Sequence, residues 1–136
     1  MSSSIAETRV SKSSIPKPTA SELNLLKLLW QHGPLNAKQV HEAVQAERPD
    51  LAYATVLRHL QIMHGKGILT RDESQRSHVY APSQEQDSLQ TNLLKDMIQK
   101  VFAGSGKALV LAALRGHVSA QERDEIEQIL QDEKKP

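Results

Sequence analysis

There is no cysteine among the 136 residues. That excludes disulfides and thiolate metal sites, and it fits a reducing compartment. Aromatic residues make up only 3% of the chain. Trp30, Tyr53, Tyr80 and Phe102 are too few to favour an aromatic ligand pocket. No apolar run approaches the roughly 20 residues that a membrane-spanning helix needs. The opening MSSSIAETRVSKSSIPKPT lacks the apolar centre of a signal peptide, so a soluble cytoplasmic protein is expected. The catalytic signatures are also missing. The histidines (32, 41, 59, 64, 78 and 117) are scattered, with no H-E-x-x-H. There is no G-x-S-x-G, and A-G-S-G-K at 103–107 lacks the full phosphate-loop pattern and follows no strand. Neither an enzyme nor a metal or other cofactor is expected.

What is present is charge asymmetry and helical periodicity. The net charge is +1. Residues 1–82 hold ten Lys/Arg against seven Asp/Glu, and residues 83–136 hold seven against nine. A mildly basic front half suits contact with nucleic acid, joined to a different kind of module. Residues 1–18 are rich in Ser, Lys and Pro and are expected to form a disordered tail, its Arg9, Lys12 and Lys17 either solvated or able to reach a phosphate backbone.

Thr19-Ala20-Ser21-Glu22 is a capping box ahead of an apolar stripe through Leu26, Leu29 and Trp30. Gly33-Pro34 stops this first helix. Asn36, with Gln39 three residues on, caps a second helix carrying Ala37, Val40 and Val44. A third helix is expected over about 52–64, its inner face formed by Val56, Leu60 and Met63. Gly65-Lys66-Gly67 ends it. Ile68–Arg71 and His78–Ala81 read as two strands around a polar turn, and Leu35 could add a short third strand. Ser83-x-x-Gln86 is expected to open a fourth helix, and Ser119-x-x-Glu122 a sixth.

Helix, helix, helix, strand, turn, strand is the order of a winged helix-turn-helix, followed here by further helices. The expected fold is mainly α with a small β-hairpin wing. It has a DNA-binding domain over 19–82 and a helical dimerisation region over 83–136. A helix is about the right width for a major groove, and its outward side chains then meet base edges. On the third helix those are Ala54, Thr55, Arg58, His59 and Gln61. Arg58 can be bidentate to guanine and Gln61 to adenine. Ala54 keeps the first turn narrow, and Thr55 suits a phosphate or a thymine methyl. In the hairpin, Arg71, Arg76 and His78 bring positive or polar groups near the turn. A polar outer face also suits any solvated helix, so a protein-binding winged helix and a small-molecule-sensing regulator remain alternatives. Salt dependence separates the first of these from operator binding.

Three stretches carry a family likeness: TASELNLLKLLWQHGPLNAKQV, AYATVLRHLQIMHGKGILTRDESQRSHVYAP and LLKDMIQKVFAGSGKALVLAAL. Together they resemble the BlaI/MecI/CopY family of bacterial transcriptional repressors over most of residues 19–115. The resemblance implies a homodimer on a palindromic operator, its C-terminal helices forming the dimer. Ala54, Thr55, Arg58 and His59 match the family's recognition helix. In the beta-lactam branch, a membrane sensor with a metalloprotease domain triggers cleavage of the repressor, usually at an Asn-Phe bond. Val101-Phe102 occupies the corresponding position here. In the copper branch, cysteine pairs bind the metal, and this chain has none.

The second half independently suits a dimer. Leu89, Leu93, Leu94, Met97, Ile98, Val101 and Phe102 make a wide apolar stripe on the fourth helix. Leu109 and Leu114 on the fifth, and Ile126 and Leu130 on the sixth, add further apolar faces. A soluble monomer rarely leaves such a patch in water, and pairing with a second copy would bury it; the alternative is that the three helices fold into a bundle of their own.

Overall fold

The structure is a computed structural model that describes residues 16–134. Most of the expected N-terminal tail, including Arg9 and Lys12, lies outside the described residues. The elements run α1 (Ala20–His32), β1 (Leu35–Asn36), α2 (Ala37–Val44), α3 (Tyr53–Gly65), β2 (Leu69–Asp72), β3 (Val79–Pro82), α4 (Gln86–Lys100), α5 (Gly106–Gly116) and α6 (Ala120–Lys134). The molecule is therefore mainly helical with a small antiparallel sheet, a winged helix followed by C-terminal helices.

Local chemistry sets the helix starts. The Glu22 amide donates to the Thr19 hydroxyl at 3.2 Å, while the Thr19 amide donates to the Glu22 carboxylate at 2.9 Å. Asn36 and Gln39 make the same reciprocal pair at 2.8 and 2.9 Å, as do Ser119 and Glu122 at 3.0 and 3.1 Å. Each box satisfies two backbone donors that a helix start would otherwise leave unpaired. The Ser83 cap does not form. The Ser83 amide instead donates to the Ile68 carbonyl at 2.9 Å, just beyond the last paired residues of the hairpin, and α4 begins only at Gln86.

The chain divides into two compact units, the first reaching Asn92 and the second starting at Leu93. This division falls inside α4, ten residues past the boundary drawn from composition and motifs. In the first unit the sheet order is β1-β3-β2, with Leu35 opposite Tyr80 and Arg71 opposite Tyr80 from the other side. Its core takes Leu26 and Leu29 from α1, Val40 from α2, Val56, Leu60 and Met63 from α3, and Leu69 and Tyr80 from the sheet, all at most 2% exposed. Fully burying side chains of this size contributes about 1.5–3 kcal/mol each before the entropy cost.

One charge sits among them. Glu22, 6% exposed, accepts from the Lys66 ammonium at 2.7 Å. This pair ties the start of α1 to the end of α3. Burial pushes the Glu22 carboxyl up, but the Lys66 ammonium and the Thr19 amide and hydroxyl outweigh it and hold the group below its ordinary range. Gly67 then takes φ 85°, a left-handed conformation that lets the chain leave α3 and enter β2 while Lys66 stays on Glu22.

The second unit holds the rest of α4, then α5 and α6. None of its described residues is buried. After α4, Ala103 and Gly104 are both left-handed, at φ 52° and 85°. The Gly104 amide closes back on the Ile98 carbonyl at 2.8 Å, which satisfies one of the last carbonyls of the helix. Ser105 then caps α5 by accepting from the Ala108 amide at 3.0 Å.

Candidate nucleic-acid interface

Successive residues of an α-helix turn by about 100°, and α3 uses this to separate two faces. Val56, Leu60 and Met63 point into the core, at most 1% exposed. Ala54, Arg58, Gln61 and Gly65 lie in a line on the opposite side, all exposed. Thr55 flanks that line and is half-buried. His59 lies further round. It lines a cleft of about 670 Å³ together with Asn24, Leu28 and His32 of α1 and Val44, Arg48 and Leu51 near the turn. Of the five outer-face residues read from the sequence, the structure thus brings Ala54, Arg58 and Gln61 together. It sets Thr55 at their edge and turns His59 towards the cleft.

The start of α3 differs from those of α1, α2, α5 and α6. Its N-cap is Ala52, which offers no side-chain hydrogen bond. The preceding turn is held from behind instead. His41 Nε2 lies 2.9 Å from the Leu51 carbonyl, Gln45 Nε2 donates to the same carbonyl at 3.3 Å, and the two side chains meet at 2.8 Å. The Tyr53 ring stands edge-on to the His41 ring at 5.9 Å. His41 of α2 and Gln45, the residue that follows that helix, therefore hold the turn from which α3 begins, while the first-turn amides of α3 receive no side-chain acceptor from its own N-cap.

The hairpin divides its cations. Arg71 is half-buried; its Nε donates to Glu73 at 2.7 Å. Hydrogen bonding to the Tyr80 phenol, then to Glu73, raises the Arg71 pKa above its ordinary value. The same Arg71 guanidinium holds the Glu73 carboxyl below its ordinary range, with smaller help from His78 and His64. Asp72 accepts from the Ser74 amide at 2.9 Å and fixes the start of the turn. Arg76 is exposed in that turn, and His78 is half-buried beside β3. Of the three hairpin residues read from the sequence, Arg76 is the most open. Arg71 is already bound to its own wing.

Two features were not read from the sequence. Ile62, 42% exposed, adds an aliphatic side chain beside the outward line of α3; its place four residues after Arg58 is the signal that could have revealed it. The clasp of His41 and Gln45 on Leu51 depends on turn geometry and left no sequence pattern.

In the second unit, Leu94, Met97, Val101 and Leu130 are exposed, at 47%, 49%, 69% and 54%, as are Val110, Leu111 and Ile129. Leu93, Ile98, Phe102, Leu109, Leu114 and Ile126 are half-buried. Leu89 differs: it belongs to the first unit and is 7% exposed, so it is not available to a partner. Val101 and Phe102 lie just past the last residue of α4. Among the described residues no cluster of three His, Asp or Glu side chains could hold a metal ion, and no helix is long and apolar enough to cross a membrane.

Comparison with known proteins gives this arrangement a lineage. Residues 18–132 match the penicillinase repressor family. The chain is 33% identical over 103 residues to a transcriptional regulator BlaI of Mycobacterium tuberculosis, covering 75% of this chain and 74% of that one. It is 24% identical over 121 residues to a penicillinase repressor of Bacillus licheniformis, covering 88% of this chain and 94% of that one. The chain belongs to the penicillinase repressor family, a family of transcriptional regulators rather than enzymes.

Proposed function

We propose that this protein is a transcriptional repressor that binds a two-fold-symmetric DNA operator as a homodimer, with α3 as the recognition helix. The observation that carries the reading is the outward line of α3. Arg58 and Gln61 are exposed side by side on a helix whose other face is locked into a core. Arg58 suits a guanine edge and Gln61 an adenine edge. The uncapped start of α3 offers backbone amides to a phosphate, and Thr55 supports the same approach. Arg76 at the wing tip adds a phosphate contact. Arg71 and His78 act one step back, through the shape of the wing, and His59 is left out of base reading by its place in the cleft. The names of the two relatives support the repressor role.

The apolar surface of the second unit supports the dimer. Two copies would bury Leu94, Met97, Val101 and Leu130 and hold two recognition helices at a fixed spacing. Release by proteolysis at Val101-Phe102, initiated by a membrane sensor protease, is supported by the place of that bond just past the end of α4. Cleavage there would detach most of the second unit and lower operator affinity through lost bivalency. A chain cut at this bond that binds as tightly as the intact one overturns the release step.

Selection of bound fragments from random duplex DNA at physiological salt tests the whole reading. A palindromic consensus is expected, with affinity that falls steeply as salt rises because counterions are released. Failure to retain any duplex, or an affinity indifferent to salt, overturns it.

A further inference from the structure

We infer that Ile62 is a specificity-determining residue that reads the methyl group of a thymine in the operator. The inference rests on the proposal that α3 is the recognition helix. Its own support is the distribution of exposed apolar side chains. In the first unit, the large hydrophobic residues that stay exposed among the described residues are Tyr53 and Ile62, and both are on α3. Tyr53 has the His41 ring against it. Ile62 contributes apolar surface to the side that carries the polar line. An exposed β-branched residue lowers helix propensity, and the 42% exposure of Ile62 adds little to the core.

Position makes the reading specific. Thr55, Arg58 and Ile62 are spaced i, i+3, i+7, so they form one ridge along α3. Thymine is the base whose major-groove edge carries a methyl group, and apolar side chains recognise it by contact. Arg58 and Ile62 are four residues apart, about 6 Å along the helix axis at about 1.5 Å per residue. Base pairs follow each other about every 3.4 Å. With the helix lying along the groove, the thymine falls one or two base pairs from the base that Arg58 reads.

Deoxyuridine provides the test, because it removes that methyl and leaves the pairing edge intact. The consensus is first obtained by selection from random duplexes. Each thymine of a half-site is then replaced singly by uracil, and affinities are measured for the full-length wild type, Ile62→Val and Ile62→Ala. One uracil, within two base pairs of the position at which Arg58→Ala relaxes base preference, is expected to weaken wild-type binding about fourfold, the weight of one buried methyl-sized group. Ile62→Val retains part of that sensitivity. Ile62→Ala binds the thymine and uracil forms equally. Wild-type binding indifferent to every uracil, or an Ile62→Ala protein with undiminished sensitivity, overturns the role of Ile62 while leaving DNA binding intact. Failure of the selection to yield any duplex instead removes the recognition-helix proposal itself.

Discussion

The first unit keeps its apolar side chains to itself, and the second does not. From Leu25 to Leu89 the chain buries a dozen hydrophobic residues, eight of them at most 2% exposed. From Leu93 to Lys134 it buries none, yet it leaves Leu94, Met97, Val101, Val110, Leu111, Ile129 and Leu130 between 38% and 69% exposed. Capping cannot explain the contrast, since α5 and α6 start as well as α1 and α2. Caps are worth about 1 kcal/mol each, whereas a helix draws most of its stability from packing an apolar face. The first unit thus has the means to hold a helix rigidly against a groove. The second has good helix starts and unfilled faces, and that is why a second copy is proposed to complete its core.

The strongest way to break this contrast is to charge the open face. Leu94→Asp should shift the protein towards monomer in sedimentation and lower apparent operator affinity on the order of 100-fold or more, through lost bivalency. The first unit should keep its thermal transition. An intact dimer in sedimentation would show that the exposed face is not the assembly surface.

The next effect belongs to the first unit alone. Arg58→Ala should cost about 1–3 kcal/mol of specific binding and relax preference at one position of each half-site. Arg71→Ala should act differently, because Arg71 is held by Glu73 and Tyr80. Its loss should loosen the wing and weaken binding without changing which base is preferred. Matching preference profiles for the two variants would erase the distinction between reader and support.

How far the sequence reveals these roles depends on the range of the interaction. Capping boxes are legible because their partners are three residues apart, as for Thr19 and Glu22. The inner face of α3 is legible because Val56, Leu60 and Met63 obey one period. Ser83 misleads because its amide finds Ile68, a partner fifteen residues away. Arg71 reads as a free cation because its Tyr80 partner depends on strand register. Burial of Leu89, and the place of the division at Asn92, depend on how the whole first unit packs. Glu22 shows both limits at once. Its cap is evident, but its ion pair spans 44 residues and has no local signature.

That ion pair gives a third test, confined to the closed unit. Glu22→Gln should destabilise the first unit by about 1–2 kcal/mol near neutral pH. The value is below that of a fully buried pair because Lys66 keeps 35% of its side-chain surface. The native pKa of Glu22 is depressed, so its contribution is fully present above the unfolded value. It is lost as pH falls through the native value. Melting curves of wild type and Glu22→Gln should therefore converge in acid. A gap that stays constant to low pH would mean that the carboxylate charge is not what stabilises the junction of α1 and α3.

The smallest effect is at Ala52, and it sets stability against binding within one unit. Adding a side-chain acceptor at an alanine N-cap gains about 0.5–1 kcal/mol, so Ala52→Ser should raise the melting temperature slightly. In the proposed complex those amides face a phosphate, and a hydroxyl that accepts from them competes with it. Ala52→Ser should then weaken operator binding a few-fold while stabilising the free protein. Ala52→Asp should do so more strongly, because its charge repels the phosphate while favouring the positive end of the helix dipole. Two variants that gain stability and bind as tightly as wild type would mean that the bare start of α3 faces no phosphate, and that its missing cap is an ordinary weakness of the helix.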